Sequence, residues 1–207
     1  MAGFHDDTKS TEINGLARTT QLTDRQREML SELIDFIKDF VAHQMRRKKH
    51  FSHEDVKSLL GDYLSSNSEA STVLRYVANK LEDDNEALFS QMCVRLQITQ
   101  ATVYGTFVGV VRELFESGVN WGRIVALIAF CEALVVHCAR TGMREKAKHV
   151  IVWTALYMMN NLSEWMRDNG GWDGFQRHFQ RQTSYSSLLL TAAGIVGIGL
   201  AIAMSCR

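Results

Sequence analysis

Arg123 is hard to explain by packing alone. It closes the stretch Gly118-Val-Asn-Trp-Gly-Arg123 and stands directly before Ile124 to Val136, IVALIAFCEALVV, a run with one charged residue in thirteen. A cation in the first turn of a helix opposes the macrodipole. At the mouth of an apolar site an arginine suits a carboxylate, which it binds through two parallel hydrogen bonds. Asn120 sits where the apolar helix begins and can cap it. Gly122 weakens that helix by about 1 kcal/mol relative to Ala, which makes sense if another backbone approaches there. The alternative reading is an internal salt bridge beside a packing glycine.

Other reactive side chains form no comparable set. There is no GxSxG, P-loop or HExxH pattern, so we expect no catalytic residues, no cofactor, no metal and no enzyme. His50-Phe-Ser-His53 places two histidines on one turn at a loop–helix junction, where a metal site is the minor reading. His137, inside the apolar run, reads as a satisfied core histidine. Cys93, Cys131, Cys138 and Cys206 make neither a CxxC pair nor a zinc set. Cys131 and Cys138 read as buried reduced thiols. The acidic, polar MAGFHDDTKS start is no signal peptide, which points to folding in the cytosol.

The elements that must position Arg123 follow from composition and periodicity. The 207 residues carry 23 Lys+Arg and 23 Asp+Glu, and that balance argues against a nucleic-acid partner. Hydrophobic residues make up 46%, enough for a sizeable core, and proline, the strongest helix breaker, is absent. The expected fold is all-α. Residues 1–22 are polar and aperiodic, a flexible arm. Thr23 and Gln26 have capping-box spacing, and Leu30, Leu33, Ile34, Ile37, Val41 and Met45 predict a helix over 24–46. It ends in Arg46-Arg47-Lys48-Lys49-His50, read as a solvated end suited to the helix C-terminus, with anionic lipid or a nuclear signal as alternatives. Ser52 and Asp55 start a short helix to about Leu64, and Ser65–Ser68 is a loop. Ala70, Leu74, Val77 and Leu81 lie on one face of the next helix. A short amphipathic piece around 88–96 and a helix over 99–116 follow, the latter stopped by Gly118. The apolar thirteen reach only about 20 Å, short of a bilayer, so they predict a central core helix. Residues 150–162 return antiparallel beside it. From 182 to 206 no residue is charged, and Leu188–Met204 offers 17 apolar residues, the lower limit for a membrane-spanning helix. This predicts a tail anchor, with a last core helix as the alternative.

Two long segments carry a family resemblance. Glu113-Leu-Phe-Glu-Ser-Gly-Val-Asn-Trp-Gly-Arg-Ile-Val-Ala126 resembles the first homology motif of the Bcl-2 apoptosis regulators, and Trp165-Met-Arg-Asp-Asn-Gly-Gly-Trp-Asp-Gly-Phe175 resembles the second. Leu74-Arg-Tyr-Val-Ala-Asn-Lys-Leu81 resembles the third, and 24–46 the fourth through its apolar stripe alone. The resemblance implies a compact helical bundle over 23–181 with a central hydrophobic hairpin, and a membrane anchor over 182–207. It implies a groove for an amphipathic third-motif helix from pro-apoptotic relatives, effectors included. Arg123 would clamp that helix's Asp, Asn120 would bond near it, and Gly122 would let it approach. Phe89, Met92, Val110, Leu114, Leu127 and Phe130 would line apolar pockets. The second motif, with Trp165, Gly170, Gly171, Trp172 and Phe175, would pack one end of the groove, with structural aromatic packing as the alternative. The chain's own third-motif helix is carried by Ala70, Leu74, Val77, Ala78, Asn79 and Leu81.

The third motif departs from the pattern at Ala78-Asn79, where a small residue followed by Asp is usual. Asn79 lacks the charge that another member's Arg would hold, which favours a pro-survival regulator at the mitochondrial outer membrane, facing the cytosol. The endoplasmic reticulum, a cytosolic pool, and a homo- or heterodimer are alternatives. A Bak-like pore-forming effector is the alternative function within the family, since Leu114-Phe-Glu-Ser-Gly resembles that type. The Gly171–Phe175 ending and the tail resemble the myeloid-cell-leukaemia guardian. Outside the family, the alternative is a membrane-anchored helical scaffold.

Overall fold

The polar signals that start helices work as local chemistry demands. Thr23 accepts the Gln26 N–H while Gln26 Oε1 accepts the Thr23 N–H, a closed capping box that opens α1, Asp24–Arg47. Ser52 and Asp55 repeat the device for α2, His53–Leu60. The computed structural model describes residues 22–48 and 51–181, without the side chains of 86–90 and 181. The arm and the tail anchor therefore lie outside the described residues.

Ser68 caps α3, Glu69–Asp83, and the chain continues through α4, Glu86–Arg95, and α5, Val103–Phe115. The long apolar helix α6, Trp121–Arg140, follows, then α7, Arg144–Tyr157. A π-helical turn, Met158–Leu162, joins α7 to α8, Ser163–Asp168, and α9, Gly171–Arg181, closes the described chain. Among the described residues there is no strand.

α6 and α7 make the most extensive helix pair, as a hairpin turned by Thr141-Gly142-Met143, with Gly142 at φ +79°. α1 packs across both of them, and α3 lies against α6 and α9. From Ile124 to Leu134 every residue but the partly buried Ala133 is inaccessible to solvent, Glu132 included. An all-round apolar helix demands this placement, because each face removes apolar surface from water.

Three expectations need correction. α2 ends at Leu60, not Leu64, because Gly61 turns the chain at φ +67°. The central helix is longer than its apolar stretch. Its 20 residues span about 30 Å, so length does not separate it from a membrane span, and burial of 72% of its most apolar window does. The basic run at the end of α1 is not merely a solvated end, although Arg46 and Arg47 are exposed. Arg46 donates to the Tyr63 hydroxyl, and Arg47 and Lys48 are tied to buried carboxylates.

Burial holds the three described cysteines as thiols. Cys93 and Cys131 are pushed up to about 12, and Cys138 to about 11. His137 lies with Nε2 3.3 Å from the Ile98 carbonyl, a satisfied histidine.

Candidate functional site

Asn120 has an extended backbone, and its Oδ1 accepts the Arg123 N–H at 2.9 Å, so it caps α6. Gly118, at φ +103°, occupies left-handed space that side chains rarely enter. This turn brings the end of the α5–α6 loop back beside the first turn of α6. Arg123 Nη1 donates to the Gly118 carbonyl at 2.5 Å, and Nη2 donates to Ser117 Oγ at 2.6 Å. Both acceptors are neutral, and Arg123 has no ion-pair partner among the described residues. The internal salt bridge is thus not the reason for this arginine. Gly122 is the second residue of α6 and partly exposed.

The second motif fixes this helix start from below. Trp121 is 5% exposed and meets Trp165 and Phe175 edge-on, at centroid distances of 5.0 and 5.6 Å. Gly170 and Gly171, at φ +86° and +60°, bend the chain between α8 and α9. Gly174, which spacing did not single out, permits that bend. A Cβ there would lie 1.9 Å from the Asn169 carbonyl oxygen. Trp172 packs tilted against Phe36 of α1 with centroids 4.4 Å apart, a structural aromatic contact.

Phe89 aside, the residues expected to line the pockets are packed inside the bundle. Met92, Val110, Leu114, Leu127 and Phe130 are at most 4% exposed, so they are core rather than an open floor. α4 and α5 pack on α6, which removes the apolar surface of these residues from water. Phe89 lies in α4, with its side chain outside the described residues.

The chain's own third-motif helix is docked in the bundle. Ala70, Leu74, Val77, Ala78 and Leu81 face inward, at most 4% exposed. Asn79 Oδ1 is buried without a hydrogen-bond partner. Charge holds the same helix at two places. Arg75 of α3 pairs with Asp39 of α1, itself 1% exposed. Seven residues on, Glu82 Oε2 meets Arg47 at 3.2 Å and Lys48 Nζ at 3.0 Å, and Lys48 reaches Glu132 of α6 at 2.9 Å. Burial, reinforced by the Glu82 charge, pushes the Glu132 carboxyl up to about 7. Burial works against the Lys48 ammonium, yet Glu132 and Glu82 hold it above the usual lysine value. Sequence reasoning missed this cluster. The signal was Glu132, the one acid in the apolar thirteen, which needed a cation from elsewhere.

Comparison with known proteins meets this geometry. The model of the apoptosis regulator proteins of the Bcl-2 family matches residues 74–172, from within α3 to the start of α9. A solved structure of Trichoplax adhaerens trBcl-2L2, bound to a trBak BH3, is 40% identical, with a TM-score of 0.63. The similarity covers 73% of this chain and 98% of that one. The chain belongs to the Bcl-2 family. Bcl-2-like protein 1 of Gallus gallus is 34% identical over 63% of this chain and 61% of its own. Bcl-2-like protein 1 of Homo sapiens is 40% identical over 49% of this chain and 44% of its own. The chain thus spans less than two thirds of these two Bcl-2 relatives. The region matched to the family includes Asn79, Asn120, Arg123, Glu132 and the second motif as far as Trp172.

Proposed function

We propose that this chain is a pro-survival Bcl-2 regulator that takes the third-motif helix of pro-apoptotic relatives, effectors included, into a groove beside Arg123. The observation that carries this reading is the state of Arg123, a guanidinium held only by neutral oxygens at the start of a buried apolar helix. An incoming Asp would exchange those bonds for charge-assisted ones, roughly twice as strong. The trBcl-2L2 neighbour was solved with a BH3 bound, which supports the partner class. The floor of Val110, Leu114, Leu127 and Phe130 must then open as α3 to α5 part from α6, and the apolar face of the partner replaces theirs.

The pro-survival sign rests on Asn79. In a symmetric exchange between two copies, Arg123 of one would meet residue 79 of the other. An amide there leaves the Arg charge uncompensated on burial, which is costly. The two charge clusters on α3 further oppose its release. Residues 182–207 would hold the protein on the mitochondrial outer membrane, facing the cytosol.

Dye-filled liposomes test the sign. We expect that the protein, triggered by a third-motif peptide, releases no dye and protects liposomes from a known effector. Peptide-triggered release would establish the effector function instead. A peptide of residues 69–84 carrying Asn79→Asp should bind other family grooves more tightly than the wild-type peptide.

A further inference from the structure

A cavity of about 790 Å³ opens between the first half of α1 and the α8–α9 bend. Met29, Leu33 and Phe36 of α1 form its apolar floor, faced by Met166 and Trp172. These α1 positions recur at i, i+4 and i+7, so the floor is a straight row about 10 Å long. One residue earlier in each case stands a carboxylate. Glu28, Glu32 and Asp35 also line the cavity, in a second row parallel to the first. None of the three has an ion-pair partner among the described residues. The cavity's cation, Arg167, is already engaged by Glu164 and Asp168. Leu64, at the rim, is 77% exposed.

We propose that this cavity is a second docking site, taking a cationic amphipathic helix from a partner protein. The helix lays an apolar stripe on Met29, Leu33 and Phe36 and sets Lys or Arg at matching i, i+4, i+7 spacing against Glu28, Glu32 and Asp35. Charge selects the occupant. Residues 1–21 carry Lys9 and Arg18 against Asp6, Asp7 and Glu12, two positive charges against three negative, so the chain's own arm is the wrong sign. Residues 182–206 carry no charge and supply no row of cations. An anionic membrane surface is repelled by the same carboxylates. The site is independent of Arg123, so its test is independent of the groove reading.

The probe is a fluorescein-labelled designed helix with lysines at i, i+4 and i+7 beside a leucine stripe, titrated onto the full chain in lipid nanodiscs. A charge-reversed helix with glutamates is the control. We expect saturable binding that weakens as salt rises, since exposed charges are screened, and no binding of the control. The combined Glu28→Gln, Glu32→Gln, Asp35→Asn variant should lose about tenfold or more in affinity, because the three exposed pairs each add a modest increment. The same variant should keep the far-ultraviolet circular dichroism spectrum and cooperative thermal melt of the wild type, which shows that it is folded. No saturable binding below about 1 mM, the weak end of specific recognition, overturns the proposal. So does equal affinity in the charge-neutralised variant, or displacement of the probe by a third-motif peptide. If deleting residues 1–21 raises probe affinity more than tenfold, the arm is the occupant and the proposal also falls.

Discussion

Lys48→Met should uncouple the third-motif helix from the core in a pH-dependent way. Lys48 Nζ lies 3.0 and 2.9 Å from the two Glu132 oxygens and 3.0 Å from Glu82 Oε2. Glu132 is inaccessible to solvent and pairs with Lys48, whereas Glu82 keeps Arg47, so the substitution strands the Glu132 carboxylate away from water. Removing one partner of a buried pair costs about 3–5 kcal/mol, a large share of a typical stability of roughly 5–15 kcal/mol. The loss should be greatest at pH 8 and shrink toward pH 5, where Glu132 takes up a proton and needs no cation. The wild type should show the same group in milder form. Glu132 titrates at about 7 in the fold against an ordinary value of 4.5. The folded state therefore holds the proton more tightly, and stability falls as pH rises from 4.5 to 7. The full difference is about 3 kcal/mol. Glu132→Gln removes that slope, whereas Asp55, held low by Ser52, acts only in more acid solution in both proteins. Chemical denaturation of the tail-deleted chain at pH 5, 6, 7 and 8 measures all three. Parallel pH profiles for wild type and Glu132→Gln, or a Lys48→Met loss below about 1 kcal/mol at pH 8, would refute the reasoning.

Other consequences are simpler to state. Arg123→Ala should weaken a third-motif peptide by about 2–5 kcal/mol, because it leaves the peptide's Asp buried and unpaired; calorimetry giving equal affinity removes Arg123 from the site. The thermal melt of that variant should barely move, since among the described residues the Arg123 side chain bonds only to Gly118 and Ser117. Gly174→Ala should lower the melting temperature sharply, as its Cβ would sit 1.9 Å from a backbone oxygen of Asn169, and an unchanged melt would mean that the α8–α9 bend is not held as described. Deleting residues 186–207 should move the protein from carbonate-washed membranes to the soluble fraction, because about 17 apolar residues supply the anchoring.

The contrast between Asn120 and Trp172 shows how much was legible in the chain. Capping is local chemistry: Thr23, Ser52 and Asn120 act on N–H groups three residues away, so their roles were readable without a fold. The all-round apolar run before Val136 likewise announced a central helix, because no other placement hides every face. Trp172, Val110 and Leu127 could be assigned to a helix but not to a side of it, since the same apolar chemistry serves a groove, a core or a second cavity. Only packing decided that Trp172 meets Phe36 and that Val110 and Leu127 are closed over. The ion cluster was beyond the sequence for a related reason. Lys48, Glu82 and Glu132 lie 34 and 50 residues apart along the chain, and nothing local pairs them. Electrostatic partnership depends on distance in space and on exclusion of water, and both come from the way α1, α3 and α6 meet.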